Sequence, residues 1–141
     1  MIVAVIAAAL AGSLAGIGAA SLTPTKVPTP AQYAPVAREV YLFTVVLPFD
    51  DSVAGRPVHD YFAPDTITVC KGDTLNVHFF NTEDEAEDHA FAMEAPYAMN
   101  HNLPFNSSMD FSFVASTAGS FAYRCPYHQP TMTGWLTVLD C

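Results

Sequence analysis

From about Glu39 onward the chain is a succession of short apolar runs cut by turn residues, and that pattern limits what it can become. Residues 41–47, YLFTVVL, are apolar and rich in β-branched side chains. DTITV (65–69) alternates and is followed by the turn residues Lys71, Gly72 and Asp73. TLNVHFF (74–80) places Leu75, Val77 and Phe79 on one face of a strand. HAFAM (89–93), MDFSFVA (109–115), SFAYRC (120–125) and GWLTVL (134–139) continue the series. Roughly seven or eight short strands at this spacing, with no amphipathic helical period, predict an all-β sandwich or barrel.

Composition agrees. The chain holds ten Phe, six Tyr and eleven Pro, a mix suited to strands and turns. Its 141 residues suffice for one domain and an appendage. With five Lys plus Arg and a formal charge of −9, it lacks the cations that neutralise phosphates, so nucleic acid is excluded as a partner. The charge suits a partner with a basic face, or solubility.

The first 22 residues carry no charge. As a helix they would measure about 33 Å, enough to cross a hydrocarbon core. A cleaved secretory signal with a small-residue site near Ala20 is one reading. The basic n-region of such a signal is absent, which favours a retained transmembrane anchor. Ala4, Ala8, Gly12, Gly16 and Ala20 recur every fourth residue. That stripe would let other transmembrane subunits pack closely, although Ala-rich helices also show it by composition. Residues 23–37 carry Pro24, Pro28, Pro30 and Pro35 and read as an extended linker, with a reach of about 45 Å. The expected division is therefore anchor 1–22, linker 23–37 and folded domain 38–141.

The densest chemistry lies in RCPYHQPTMTGW (124–135). Cys125, His128 and Met132 offer a thiolate, an imidazole and a thioether within eight residues. A type 1 copper ion takes one thiolate, two imidazoles and a weak axial thioether. His89, which opens a short strand after the acidic run NTEDEAED, is the candidate second imidazole. Taken singly, Cys125 could be a core thiol, His128 a surface histidine and Met132 a filler of the core. Their joint spacing in a strand–loop–strand setting points to metal. Zinc is disfavoured because structural zinc seeks several Cys or His.

In FAPDTITVCKGDTLNVHFFN, DHAF and GSFAYRCPYHQPTMTGWLTV, the chain resembles the cupredoxins, the family of plastocyanin, amicyanin and halocyanin. The resemblance covers roughly residues 60–141. It implies a Greek-key β-sandwich, here preceded by the transmembrane helix. It also implies one copper ion on His89, Cys125, His128 and axial Met132, cycling between Cu(I) and Cu(II). The Cys-x2-His-x3-Met loop is intermediate in length between the amicyanin and plastocyanin types, which leaves the Met132 distance open. The dinuclear site of oxidase subunit II needs two cysteines in this loop, and only Cys125 is there. The resemblance further implies an electron port at the His128 edge, amid Pro126, Tyr127 and Pro130. A second route would start from Cys125 with Arg124 and Tyr123. It also sets the strands ending at Cys70 and Cys141 side by side, so an extracytoplasmic domain would allow a disulfide there.

Glu83, Asp84, Glu85, Glu87 and Asp88 are read either as a steering surface for a basic redox partner or as a solvated loop. Their charge would also favour the oxidised metal. They lack the spacing of an EF-hand. His78 is read as a surface or second-layer residue, His59 as a loop residue, and 95–106, with His101, as a surface loop. The expected function is a membrane-anchored, extracytoplasmic one-electron carrier working between a redox donor and acceptor. The alternative is an open-site copper enzyme acting on a small molecule such as a nitrogen oxide. A copper-free cupredoxin-like subunit is disfavoured by the intact ligand set.

Overall fold

The computed structural model describes residues 32–47, 59–84 and 86–141. The strands among them are β1 (Ala37–Val46), β2 (Asp60–Ala63), β3 (Thr66–Cys70), β4 (Thr74–Phe80), β5 (His89–Met93), β6 (Met99–Leu103), β7 (Ser108–Val114), β8 (Gly119–Arg124) and β9 (Thr133–Leu139). They form a four-stranded sheet in the order β2-β1-β4-β7 and a five-stranded sheet in the order β3-β9-β8-β5-β6. Both sheets are mixed: β1 runs parallel to β4 and β3 parallel to β9, while the other pairs are antiparallel.

Alternation builds the core. On β4, Leu75, Val77 and Phe79 are buried, while Asn76 and His78 face outward. They meet Leu42 from β1 and the inward side chains Phe91, Tyr123, Leu136 and Val138 of the opposite sheet in one apolar cluster. Phe62, Phe91 and Tyr123 pack ring on ring at centroid distances of 5.1–6.5 Å.

Two strands were not visible in the sequence. β2 is four residues long and turns both Asp60 and Phe62 inward, so it shows no apolar alternation. β6 replaces the expected surface loop over 95–106: MNHNL pairs with β5 from His89↔Leu103 to Met93↔Met99. Its polar residues suit an edge strand, and His101 stacks on Phe111 with centroids 4.1 Å apart. Burial of His101 lowers its pKa.

The chain divides into Met1–Ala31 and Gln32–Cys141. The folded unit thus begins before residue 38 and takes in the end of the expected linker. The expected anchor, with its Ala4, Ala8, Gly12, Gly16 and Ala20 stripe, lies outside the described residues. Among the described residues there is no helix long and apolar enough to cross a membrane.

Asp73, fully buried in the β3–β4 turn, explains where the domain starts. Its carboxylate accepts hydrogen bonds from Tyr33 Oη, from Val36 N at 2.9 Å, from Arg38 Nε at 3.1 Å and from Cys70 N at 3.2 Å. Burial alone would raise the Asp73 pKa, but these donors outweigh it and hold the carboxyl well below its usual range. Gly72 beside it has φ +94°, and a Cβ there would meet Pro35 Cγ at 2.7 Å, so glycine is required both by conformation and by space. Cys70 and Cys141 form a disulfide, with Cα atoms 5.6 Å apart and a sequence separation of 71.

Two outcomes follow for stability. Reduction, or Cys70→Ser, lowers the unfolding free energy by about 4 kcal/mol in the chain-entropy account, read from denaturant midpoints. Asp73→Asn lowers the thermal midpoint by several degrees at neutral pH. Because the folded-state pKa of Asp73 is depressed, its contribution is present above about pH 4 and is lost as pH falls through the folded value. The gap between wild type and variant therefore narrows in acid, which melts recorded across pH would show.

Candidate metal centre

Strands β5 and β8 pair only at Ala92↔Arg124 and Met93↔Tyr123. β8 ends at Arg124, whereas β5 extends the other way to His89. The segment 125–132 fills the place where β8 would have continued, beside His89. Here Cys125 N donates to Met132 O at 3.0 Å, and Met132 N to His128 O at 3.0 Å. Gln129 braces the turn: its Nε2 donates to the carbonyls of Cys125 and Met132, both at 2.9 Å. Thr133 Oγ1 donates to Gln129 Oε1 at 3.0 Å.

Four donor atoms converge as a result. His128 Nδ1 lies 3.1 Å from His89 Nδ1. Cys125 Sγ lies 3.9 Å from His89 Nδ1 and 3.7 Å from His128 Nδ1. Met132 Sδ is 3.2 Å from His89 Nδ1. Donors around one ion with bonds of about 2.0–2.3 Å stand roughly 3.3–3.7 Å apart, so these separations suit a shared metal. His89, Cys125 and Met132 are fully buried, and only His128 is partly open. Cys125 is a free, buried cysteine. One thiolate, two imidazoles and a thioether fit copper by donor softness and number. His89, Cys125 and His128 form one metal-competent group by geometry.

The outer imidazole nitrogens carry the electrostatics. His89 Nε2 lies 2.6 Å from Glu83 Oε1, and both side chains are sealed from solvent. Burial lowers the His89 pKa, but the Cys125 sulfur and the Glu83 carboxylate more than offset it and raise the metal-free group to about 9. His128 Nε2 faces Glu87 Oε2 at 3.2 Å and Asp60 Oδ2 at 3.7 Å.

The described residues of the acidic run do not share one environment. Glu83 is turned inward because Asn81 and Thr44 hold its loop. Asn81 Nδ2 donates to Glu87 O at 2.8 Å and Glu83 N to Asn81 Oδ1 at 3.2 Å. Thr82 N donates to Thr44 Oγ1 at 3.0 Å. Asp88 Oδ1 accepts from Phe105 N at 2.9 Å. Asp84 is exposed, and Glu85 lies outside the described residues. A buried carboxylate therefore stands behind His89.

Around His128, Pro126, Tyr127 and Pro130 are exposed, Tyr127 at 57%. Tyr127 Oη donates to Asn102 Oδ1 at 3.3 Å. Arg124 pairs with Glu94 at 2.6 Å. His78 lies on the outer face of the four-stranded sheet between Glu39 and Asp110, at 2.8 and 2.7 Å. His59 Nε2 stands 3.6 Å from Asp60 Oδ1. Sequence reasoning missed Gln129, Asn81 and Asp60, and its placing of Glu83 and Glu87 within one acidic run hid their separate contacts.

No protein-family model and no curated protein matches the chain. Solved structures do. Auracyanin A, a "blue" copper protein of the photosynthetic bacterium Chloroflexus aurantiacus, aligns with TM-score 0.53 at 19% identity, over 73% of this chain and 99% of its own. Copper nitrite reductase of Nitrosomonas europaea aligns with TM-score 0.56 at 20% identity, over 74% of this chain but only 41% of its own. The metal-binding domain of the Cu(I)-exporting P-type ATPase of Streptococcus pneumoniae D39, solved with Cu(I), aligns with TM-score 0.54 at 12% identity, over 74% and 87%. These neighbours are cupredoxin-fold copper proteins, and at such identities the likeness establishes the fold: a cupredoxin-like β-sandwich.

Gly134 is the second residue of β9, just after the loop, and a Cβ there would meet the Tyr123 ring at 2.2 Å. Tyr123 is itself pinned, its Oη donating to Pro64 O at 2.7 Å. Gly134→Ala should therefore destabilise the domain by about 2–3 kcal/mol and loosen the metal loop. Thermal melts and copper affinity measured on the same variant check both effects.

Proposed function

We propose that this chain is a one-electron carrier in which His89, Cys125, His128 and Met132 would hold one copper ion of type 1. The convergence of a thiolate, two imidazole Nδ1 atoms and a thioether at one end of a rigid sandwich carries this reading. Copper bound there supplies the Cu(I)/Cu(II) couple. The protein's own part is to hold the donors still. The loop closure at Cys125 and Met132, braced by Gln129, keeps donor positions similar in both oxidation states, which makes electron exchange fast. Burial of three of the four ligands keeps solvent and small molecules out, so a carrier is favoured over an enzyme with an open coordination position. The alternative, an open-site copper enzyme, would require Met132 to stand away from the metal.

Electrons enter or leave through the partly exposed edge of His128, beside Pro126, Tyr127 and Pro130. The acidic surroundings of that edge suit redox partners with basic docking faces. We further propose that residues 1–22 anchor the chain in a membrane with the copper domain on the extracytoplasmic side, where its disulfide would persist, and that the chain docks to or belongs to a membrane redox complex.

Optical absorption and electron paramagnetic resonance of the copper-loaded protein test the site. An intense thiolate-to-copper band with a narrow copper hyperfine splitting, lost in Cys125→Ser and perturbed in Met132→Leu, is the expected result. A wild-type protein without that band would refute the assignment. A band indifferent to Met132→Leu but responsive to added azide would transfer the reading to the open-site enzyme.

A further inference from the structure

The carboxylate behind His89 has no role in holding copper directly, yet it is among the most enclosed charged groups described. Glu83 and His89 side chains are 1% and 0% exposed, and Glu83 Oε1 stands 2.6 Å from Nε2. His89 Nδ1 faces the other donors, so the ring lies between the carboxylate and the metal position. Such burial of a carboxylate carries a desolvation penalty, and a side chain serving only solubility would avoid it. The chain invests several contacts in the arrangement: Asn81, Thr44 and Thr82 fix the loop that turns Glu83 inward.

We propose that Glu83 is a positioning residue that sets the copper site's redox balance. This rests on the copper reading given above. Two physical effects act together. The carboxylate 2.6 Å from Nε2 favours the tautomer that carries its proton there, which leaves Nδ1 to the metal. Its negative charge, screened by little solvent, stabilises Cu(II) more than Cu(I), because the Coulomb attraction grows with metal charge. The reduction potential is therefore held lower than the same four ligands would otherwise give. Asp60 and Glu87 act in the same direction on His128, at longer range and closer to solvent. The couple involved is Cu(II) plus one electron giving Cu(I), with the electron supplied by the redox partner.

Glu83→Gln keeps the shape and removes the charge. In the copper-loaded full chain, its midpoint potential should rise above the wild-type value while the thiolate-to-copper band remains. Its Cu(II) affinity should fall on the order of tenfold, with Cu(I) affinity changed much less. Asp84→Asn, which removes an exposed charge from the same loop, should move the potential far less. A purely structural role would lower the melting temperature of Glu83→Gln and weaken both oxidation states equally. An unmoved or lowered potential with the band intact would overturn the role of Glu83 alone, and a wild-type protein without the band would overturn this inference together with the copper reading.

Discussion

The cluster of donor atoms at one end of the sandwich depends on the closure of one short loop between β8 and β9. Cys125 N bonds to Met132 O at the point where the ladder with β5 has already ended. Without that closure Cys125 and Met132 would follow their strands outward, and His89 would face an empty groove. With it, two sulfurs and two imidazole nitrogens come within 3.1–3.9 Å of a neighbour. Gln129 makes the closure stiff by satisfying two loop carbonyls with one amide. The other requirements follow. Gly134 has to be glycine so that Tyr123 can lie against the start of β9, and the sandwich core has to be rigid enough to hold the facing strand.

Charge is organised around that loop in two tiers. Glu83 is sealed behind His89, away from solvent. Glu87 and Asp60 stand over the outer nitrogen of His128, the most open of the four donor residues. A chain of net charge −9 would spread repulsion over its surface, yet here part of that charge is committed to specific nitrogens. At the opposite end, Asp73 and the Cys70–Cys141 bridge tie the entry of the chain, the β3–β4 turn and the C-terminus together.

Much of this was legible in the sequence because the responsible signals are local. Strands with apolar alternation, such as Thr74–Phe80, show their buried face at every second residue. Cys125, His128 and Met132 sit close enough in sequence that one loop can gather them. β2 and β6 were hidden because an inward Asp60 and the exposed Asn100 and Asn102 break the apolar rhythm. The direction of Glu83 was hidden for a different reason. Glu83 and Asp84 look alike in sequence, and what separates them is Thr44, 39 residues before Glu83, together with Asn81. Long-range hydrogen bonds of that kind leave no periodic trace.

X-ray absorption at the copper edge of the loaded protein tests the convergence of these donors most directly. One short copper–sulfur and two copper–nitrogen contacts, with no oxygen shell, is the result that the geometry of His89, Cys125 and His128 requires. A coordination shell of nitrogen and oxygen without a short sulfur would contradict it, because copper would then be bound somewhere other than beside Cys125.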